Sequence, residues 1–488
     1  MSFNSTQMIH QLRQDFERLL EVVTGPEAHS ATIGQMERFL FQQILRMGFN
    51  LLKLFVLTRA GNESRAPLRK ENGKELPYHS QKPRSYFSIF GKLTFERAYF
   101  YKSGQGGECP LDEALSMPER CYSDLLMESA ELLGVNGSYR KGLQVLERLL
   151  ELKLSELAVE TSVAEHSQDV EAYYAQKAPF PAVEEEPILV AQADGKGVPM
   201  VRSETEEQKV RRGKGDKKTR KKEAIAIAVY TIEPYHRTPQ EVVNALFKRG
   251  ESPPTRPVPR HKQVFASMEG KERTIGRLAA WVRRREGEHI RERVALTDGA
   301  IALQKQMLDN LTDFTLILDI IHVTEYLWEA GTALYGETDP HRAEWVEEQM
   351  LDILSSRSNR VIRRLEEKAA TMSPNSQAAK TLQRIANYFR RNQPYMDYAT
   401  YLRRGWPIGT GVIEGACRHL VKDRMELSGM RWTVAGAEAM LALRSVNENG
   451  DWDDFHEFRR HQCHQRLYAT RMSTDWLGQV ERLEINQF

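Results

Sequence analysis

The sequence has few cysteines, no long apolar run and no excess of charge of one sign. Its 4 cysteines are Cys109, Cys121, Cys417 and Cys463, which are widely spaced and include no Cys-x-x-Cys pair. Neither a disulfide framework nor a thiolate zinc site is therefore predicted. No apolar run approaches the ~18 residues of a membrane span, and the N-terminal residues lack the pattern of a signal peptide. We expect a cytoplasmic protein that makes no membrane contact.

The total charge indicates less than the distribution of charge along the chain. Lys and Arg number 69 against 67 Asp and Glu, a net charge of +2, so the balance alone does not point to nucleic acid. Basic residues cluster locally, however, and such clusters are typical of DNA-binding surfaces. At 488 residues and 41% hydrophobic content, the chain is long enough for roughly two to four domains with ordinary buried cores.

The N-terminal part is predicted to be mainly helical with one β-hairpin. Apolar residues at three- and four-residue spacing predict helices over 5–24 and about 32–58. The polar segment 60–84 is predicted to be a loop. Aromatic and polar residues alternate over 85–102 around Phe90-Gly91, which predicts a hairpin. Its aromatic side chains either pack on neighbouring helices, the interpretation we favour, or face DNA.

Three predicted helices follow, at about 118–133, 138–150 and 155–176, with Ser155 as the N-cap of the third. Their sizes and short connections are typical of a helix-turn-helix DNA-binding unit. A purely structural three-helix bundle has the same turns and is the alternative. Residues 179–187 are rich in proline and acidic residues, which predicts a linker.

The next part of the chain alternates strands and helices. A strand from residue 187 delivers Asp194, and Gly195 and Gly197 are predicted to permit a tight reversal into a second strand. The later predicted elements are a strand at 224–232, a helix at 272–285, a strand ending at Thr297, a helix and a strand at 314–318. This order predicts an α/β fold with an RNase H-like sheet.

Acidic residues occupy the ends of three of these strands. Asp194 ends the first strand, Asp298 follows the fourth and Asp319 follows the fifth. In this topology the first and fourth strands are central neighbours, so Asp194 and Asp298 would lie one strand spacing, ~5 Å, apart. Open α/β sheets bind ligands at this edge, and paired carboxylates suit Mg²⁺ or Mn²⁺. The alternative for Asp298 is a plain helix N-cap.

The remaining acidic candidate follows a long helical segment. Residues 329–405 are helical in pattern, with Pro turns near 340 and 374, and are predicted to form an all-helical insertion. Beyond the insertion, a helix starting near the glycines around Glu414 repeats charge at Arg418 and Lys422. This four-residue spacing puts the three side chains on one face. Glu414 is therefore a candidate third metal ligand, and an ordinary surface ion-pair ladder is the alternative.

Several basic residues are candidates for contact with DNA phosphates. The stretch 209–222 holds nine Lys or Arg in fourteen residues, which either binds a phosphate backbone or forms a solvated loop. Trp432 either stacks on a displaced base or belongs to the core, the interpretation we favour. The candidate DNA-binding residues are Lys209, Arg211, Arg212, Lys214, Lys217, Lys218, Arg220, Lys221, Lys222, Arg418, Lys422, Arg431 and Trp432.

These motifs together resemble those of the DDE transposases of bacterial insertion sequences, in particular the ISKra-like family related to Mutator-type transposases. The resemblance covers most of the chain. It rests on ADGKG at 193–197, LTDGA at 296–300, DIIHVTEYLW at 319–328, IGTGVIEGACRHLVKDRM at 408–425 and GMRW at 429–432. The N-terminal segments FGKLTFERAYFY and PLDEAL are also similar to this family.

The resemblance implies metal-dependent cleavage and transfer of DNA strands. It assigns the catalytic and metal-binding positions to Asp194, Asp298 and Glu414, and an Asp-x-x-His signature to Asp319 and His322. The three carboxylates would hold two Mg²⁺ (or Mn²⁺) ions about 3.5 to 4 Å apart, activating water against a phosphodiester. One departure is Val421, which stands where many such enzymes carry a basic residue.

The expected partners are double-stranded DNA at the element ends and in the target, and a second copy of the chain in a homodimer or larger assembly. A domesticated, non-catalytic DNA-binding protein and a host nuclease with an RNase H fold are the alternatives. The N-terminal half is expected to comprise a helical region at 1–84 and a hairpin plus helix-turn-helix-like DNA-binding region at 85–178. The catalytic core is expected in two segments, 187–328 and 406–450, which the helical insertion at 329–405 separates. Residues 451–488 are expected to form a C-terminal tail.

Overall fold

The computed structural model describes residues 5–69, 75–201, 221–249, 255–427 and 429–470. The chain divides into two compact units. The first unit comprises Met1–Tyr173 together with Trp452–Phe488, and the second unit comprises Tyr174–Asp451. The two ends of the chain therefore belong to the same unit.

The first unit begins with two helices, α1 (Ser5–Thr24) and α2 (Ile33–Gly61). The second helix starts at a capping box, in which Thr32 and Gln35 exchange side-chain and backbone hydrogen bonds. Among the described residues, α2 is the one helix long and apolar enough to cross a membrane by length and composition. This corrects the expectation that the sequence holds no such segment. The apolar window of α2 is 6% buried, and both core helices of soluble proteins and signal sequences satisfy the same criterion, so it does not assign α2 to a membrane.

The predicted hairpin is confirmed, and it is longer than the sequence indicated. Short strands β1 (Leu68–Arg69) and β2 (Glu75–Leu76) pair with each other, and β3 (Tyr78–Ser88), β4 (Gly91–Lys102) and β5 (Gly106–Glu108) form an antiparallel sheet. The loop prediction for 60–84 was wrong, because the polar first half of β3 pairs with β4 despite its few apolar residues. Leu93 and Phe95 of β4 pack against Val56 of α2, as the favoured interpretation expected.

Helices α3 to α7 complete the contiguous part of the first unit. They are α3 (Pro110–Ala114), α4 (Asp124–Asn136), α5 (Tyr139–Leu150), α6 (Glu156–His166) and α7 (Val170–Gln176). The predicted helix near 118 starts later, at Asp124. Ser155 caps α6 as predicted, because its hydroxyl accepts a hydrogen bond from the Ala158 amide.

The second unit is built on a five-stranded mixed sheet. Its strands are β6 (Ile188–Pro199), β7 (Lys221–Ile232), β8 (Arg260–Ser267), β9 (Glu292–Thr297) and β10 (Thr315–Leu318), in the spatial order β10-β9-β6-β7-β8. Strands β6, β7 and β8 are antiparallel neighbours, whereas β9 and β10 run parallel to β6. The α/β class and the adjacency of the first and fourth strands are thus confirmed.

Two details of the predicted strand order were wrong. Gly195 and Gly197 do not reverse the chain but continue β6, paired with β7. A Cβ added at Gly195 would lie 2.4 Å from Glu223 Oε1, so the glycine makes room for a side chain of the neighbouring strand. The true third strand is β8, which was missed in a proline-rich stretch because its first half is basic. Helix α8 (Pro239–Leu246) was missed in the same stretch.

Helices cover the sheet and form the insertion, as predicted. They are α9 (Lys271–Arg285), α10 (Ile301–Asn310), α11 (Ile320–Tyr335), α12 (His341–Leu354), α13 (Ser358–Thr371), α14 (Gln377–Asn392) and α15 (Tyr398–Arg403). One buried cluster joins Val294 and Ile317 of the sheet to Val346, Leu365 and Leu382 of the insertion. The insertion therefore shares the core of the sheet.

The last helices return the chain to the first unit. They are α16 (Gly411–Ala416), a π-helical turn (Cys417–Lys422), α17 (Asp423–Met425), α18 (Val434–Glu448) and α19 (Trp452–Tyr468). Residues 451–488 were expected to form a tail, and α19 shows that 452–468 are helical. Its Phe455 and Phe458 rings lie edge-on to Tyr173 of α7.

Candidate active site

The register of the sheet brings two carboxylates together. Strands β6 and β9 pair in parallel with Ile188 beside Glu292, an offset of 104 residues (292 minus 188). Continued two residues past the last paired position, this offset places Asp194 beside Asp298. Neighbouring strands lie about 4.8 Å apart, so these two residues occupy adjacent positions near the carboxyl end of β9.

A third carboxylate lies one strand further across the sheet. Strands β9 and β10 pair with Val294 beside Thr315, an offset of 21 residues (315 minus 294), which places Asp298 beside Asp319. The Asp319 amide also donates to the Thr297 carbonyl at 3.0 Å. Asp194, Asp298 and Asp319, called the acidic row below, thus stand at equivalent positions on three adjacent strands.

Asp194 lies in a surrounding that disfavours its negative charge. Its carboxylate accepts hydrogen bonds from the Gly195 amide at 2.7 Å and from the Cys417 thiol at 3.3 Å. Burial raises the pKa of Asp194, and the charge of Asp298 raises it further, while the bonds from Cys417 and Gly195 lower it. A carboxylate with a raised pKa gains from a bound cation, because the cation offsets both the burial and the repulsion.

Asp298 is not the N-cap of the helix that follows it. Helix α10 begins at Ile301 with Ala300 as its N-cap and without a side-chain cap. The Asp298 carboxylate accepts one hydrogen bond, from the Ala300 amide at 2.9 Å. The backbone carbonyl of Asp298 accepts from the Tyr388 hydroxyl at 2.8 Å, and that of Gly299 accepts from Arg391 at 2.8 Å. Helix α14 of the insertion therefore holds this turn from outside.

Asp319 is fully buried and serves as a structural anchor. It caps α11 by accepting from the amides of Ile321 and His322, and it also accepts from the Thr410 amide at 2.9 Å. His322 Nδ1 lies 2.7 Å from Asp319 Oδ2. That hydrogen bond, opposed by burial, raises the pKa of His322 to about 9, so the ring is a cation at neutral pH. His322 thus forms an ion pair with Asp319.

Glu414 lies in the first turn of α16, beside the acidic row. Ligand atoms of Asp319, His322 and Glu414 all lie within 4.8 Å of one another. The Thr410 hydroxyl donates to Glu414 Oε1 at 3.2 Å. Thr410 therefore connects Asp319, through its backbone, to Glu414, through its side chain.

Gln192 fixes the approach of this turn to the sheet, and the sequence analysis missed it. Its buried side chain accepts from the Ile413 amide at 3.0 Å and donates to the Tyr230 hydroxyl at 3.1 Å. The signal was present in the sequence, since Gln192 is the lone polar residue in the buried stretch ILVAQA. A buried amide needs partners, and here the partner is the backbone next to Glu414.

The face predicted for Glu414, Arg418 and Lys422 is altered by the π-helical turn. That turn spans Cys417–Lys422, and a π-bulge of this kind shifts the angular positions that an α-helix would give. Arg418 and Lys422 are exposed, whereas Val421 is buried. Val421 therefore belongs to the core, which accounts for the absence of a basic residue there.

A large basic cavity adjoins the acidic row within the second unit. It has a volume of about 1260 Å³ and is lined by Asp298 and His322 on the sheet side. Its other wall includes the basic side chains of Lys380, Arg384 and Arg391 from α14. The cavity combines cations with the aromatic rings of Tyr326 and Tyr388, a set of groups that matches a nucleic-acid strand.

The other candidate DNA contacts are only partly described. Lys209, Arg211, Arg212, Lys214, Lys217, Lys218 and Arg220 lie outside the described residues. Lys221 and Lys222 begin β7, are exposed, and Lys221 forms an ion pair with Glu426. Arg431 is exposed.

Trp432 makes structural contacts within the second unit. Its indole donates to the Met425 carbonyl at 3.0 Å, and the Arg424 guanidinium lies 4.9 Å from a ring centroid. Its backbone forms a bridge with Met200. These contacts support the favoured interpretation, in which Trp432 packs within the protein and does not stack on a base.

Comparisons with known proteins do not identify a family for this chain. No family model matches the chain, and no curated protein matches it. A search of solved structures found the Drosophila P element transposase strand transfer complex, with a TM-score of 0.24 and 10% identity over 72% of this chain and 83% of that chain. At this TM-score the likeness does not establish a shared fold.

Proposed function

We propose that this protein is a DDE transposase that cleaves DNA at the ends of a mobile element and joins the ends to target DNA. The observation that supports the proposal is the acidic row: extending the strand register makes Asp194, Asp298 and Asp319 neighbours, and Glu414 is grouped with Asp319 and His322. The mixed five-stranded sheet, with three antiparallel strands followed by two parallel ones, supports our proposal of an RNase H-like fold. The motif resemblance to ISKra-like transposases points the same way.

The residues present fit a pair of hard divalent cations. Asp194, Asp298 and Glu414 offer carboxylate oxygens, the ligands that Mg²⁺ and Mn²⁺ prefer. Burial, and to a smaller extent the charge of Asp298, raises the pKa of Asp194, and bound cations would offset both effects. When bound, such ions would lower the pKa of an attacking hydroxyl and stabilise the departing oxygen.

The remaining side chains of the site position these ligands. Asp319, held by His322 and by the Thr410 amide, fixes α11 and the turn before α16. Gln192 fixes the same turn from the sheet side. We assign Asp319 and His322 to positioning, because the buried carboxylate already accepts four hydrogen bonds from protein donors.

The DNA substrate is assigned from charge and shape. Lys380 lines the cavity beside Asp298 and would contact a phosphate backbone. Arg384 and Arg391 add positive charge to its wall, although Arg384 pairs with Glu329 and Arg391 donates to the Gly299 carbonyl. Arg418, Lys422 and Arg431, all exposed near Glu414 in sequence, would add to this surface. Two element ends must be brought together for transposition, so we propose a homodimer or larger assembly on double-stranded DNA.

The test is Mg²⁺-dependent nicking of a labelled duplex that carries the DNA flanking the gene. Asp194→Ala, Asp298→Ala and Glu414→Ala should abolish nicking while DNA binding persists. Asp309→Ala is the matched control, since Asp309 is an exposed carboxylate on α10. If the parent protein binds this DNA and never nicks it with Mg²⁺ or Mn²⁺, the enzyme assignment fails and a DNA-binding protein remains.

A further inference from the structure

The first unit contains a second cluster of side chains that are common metal ligands. Glu131 of α4, His166 at the end of α6 and His456 of α19 offer ligand atoms that all lie within 4.8 Å of one another. His166 Nδ1 is 2.8 Å from Glu131 Oε1, and His456 Nε2 is 3.8 Å from Glu131 Oε2. We call Glu131, His166 and His456 the buried cluster.

The cluster is largely buried, and one of its nitrogen atoms lacks a hydrogen-bond partner among the described residues. The side chains of Glu131 and His456 are 0% and 1% exposed. His456 Nε2 has no hydrogen-bond partner within the part of the chain that the structure describes. A buried nitrogen of this kind costs free energy unless something binds it, and its nearest charged neighbour is the Glu131 carboxylate.

The Glu131 carboxylate is also a buried charge with few partners. It accepts from the Ser162 hydroxyl and lies 3.0 Å from His166 Nδ1 through Oε2. Burying a carboxylate is costly unless a cation or several hydrogen bonds compensate it. Arg459 supplies part of this compensation through its charge, and a cation between Glu131 and His456 would add to it.

The other ring nitrogen of His456 has two charged neighbours. Arg459 Nε donates to His456 Nδ1 at 3.4 Å, and Glu128 Oε1 lies 3.7 Å from the same nitrogen. Metal binding through Nε2 requires the tautomer that carries its proton on Nδ1. That proton would then face Glu128 in place of the Arg459 donor, a carboxylate–histidine arrangement common at metal sites.

We propose that Glu131, His166 and His456 bind a structural zinc ion that joins α4, α6 and α19. Two imidazole nitrogens and one carboxylate oxygen form a ligand set suited to zinc and poorly suited to Mg²⁺. Zinc bonds of about 2.0 to 2.1 Å in a tetrahedron separate ligand atoms by about 3.4 Å. His166 Nδ1 and Glu131 Oε1 are at hydrogen-bond distance, 2.8 Å, and His456 Nε2 lies 3.8 Å from Glu131 Oε2. Zinc would therefore replace the His166–Glu131 hydrogen bond and separate those two atoms by about 0.6 Å more. Water or the Ser162 hydroxyl would complete the fourth position.

The consequence is that metal would tie the end of the chain to the predicted DNA-binding helices. Helix α19 reaches the cluster from the far end of the sequence, and both α4 and α6 belong to the helix-turn-helix-like region. The site uses no cysteine, so the absence of Cys-x-x-Cys pairs does not bear on it. It is independent of the proposed transposase chemistry.

The experiment measures zinc and Co²⁺ bound to the full-length protein. Asp194→Ala, Asp298→Ala and Glu414→Ala are combined first, so that the three proposed catalytic ligands contribute no metal. After reconstitution and gel filtration we expect about one zinc per chain, and with Co²⁺ visible d–d absorption of a nitrogen- and oxygen-bound tetrahedral ion. His456→Gln should lose this metal, while His461→Gln on the same helix should retain it.

Two outcomes overturn the proposal. One is a parent chain that binds no zinc or Co²⁺ after reconstitution, and the other is a folded His456→Gln chain that keeps its full complement. If His456→Gln does not fold, X-ray absorption at the zinc edge of the parent decides, because two imidazoles must appear in its ligand shell. A shell of oxygen atoms alone would contradict the assignment as well.

Discussion

The acidic row and the buried cluster are both groups of metal-ligand side chains, but they are built in opposite ways. The acidic row presents carboxylates at the edge of a sheet beside a cavity of about 1260 Å³. The buried cluster mixes imidazole with one carboxylate, and two of its side chains are almost fully excluded from solvent. An open site of hard oxygen ligands suits exchangeable ions and a large substrate. A closed site with nitrogen ligands suits an ion that stays in place and stabilises the fold.

The largest expected effect concerns the open site. Asp298→Ala should lower the DNA cleavage rate by roughly a thousandfold or more, since metal ions supply several kcal/mol of stabilisation to such transition states. The unfolding midpoint should change little, because the Asp298 side chain accepts a single backbone hydrogen bond. Single-turnover cleavage and thermal unfolding are measured on the same preparation. Equal activity in the parent and Asp298→Ala would remove Asp298 from the catalytic set.

Chelation separates the two sites by their accessibility. A short exposure to EDTA should stop cleavage at once, and added Mg²⁺ alone should restore it, because the ions of the acidic row exchange with solvent. Zinc in the buried cluster should leave much more slowly, since its ligands are covered by protein. Cleavage and zinc content are followed in parallel against time. Loss of zinc at the same rate as loss of cleavage would contradict the contrast between open and closed sites.

Substituting Asp319 tests whether all three carboxylates of the acidic row bind metal. Asp319→Ala should destabilise the protein by about 3 to 5 kcal/mol, because it leaves the buried partner groups without an acceptor. Its partners are the His322 ring and the amides of Ile321, His322 and Thr410. Denaturant unfolding measures the loss, with Asp313→Ala as the exposed control. Full stability together with complete loss of cleavage would make Asp319 a ligand and not an anchor.

The His322–Asp319 pair also predicts a dependence of stability on pH. The pKa of His322 is raised from 6.5 to about 9, so the pair contributes its full stability below the unfolded pKa. That contribution is lost as the pH rises through about 9, because the neutral ring no longer forms an ion pair with Asp319. Unfolding in metal-free buffer between pH 6 and 10 measures the decline. His322→Asn should flatten it, and an equal slope in parent and variant would exclude His322 as its source.

The smallest expected effect concerns DNA contacts near the sheet. Lys222→Gln should weaken DNA binding and reduce the salt dependence of binding by about one ion, if Lys222 contacts phosphate. Lys221→Gln is the matched control, because Lys221 is already paired with Glu426. Fluorescence anisotropy at several salt concentrations measures both slopes. Identical slopes for the parent and Lys222→Gln would remove Lys222 from the DNA-binding surface.

The two sites differ in how far sequence could predict them. The acidic row was predicted from local signals, because Asp298 and Asp319 directly follow β9 and β10 and the strand order sets which strands are neighbours. The prediction that Asp194 ends its strand was wrong, since β6 continues to Pro199. Gly195 and Gly197 misled the interpretation, since glycine marks both turns and close cross-strand packing, and only the partner strand decides between them. Strand β8 was missed because its basic first half does not alternate.

The buried cluster left no local signal in the sequence. Glu131, His166 and His456 come from three distant helices, and no spacing rule connects them. Only the return of α19 to the first unit brings His456 to the other two. Long-range contacts of this kind depend on tertiary packing, which a single sequence does not reveal.

The hydrogen bonds from α14 to the turn after β9 make the insertion part of the geometry of the proposed active site. Tyr388 and Arg391 hold the carbonyls of Asp298 and Gly299. Adding or deleting one residue in α14 would rotate these side chains by about 100° about the helix axis and release that turn. Natural variants should therefore change the length of this helix rarely, and an insertion taken from another protein should not replace it as an independent module.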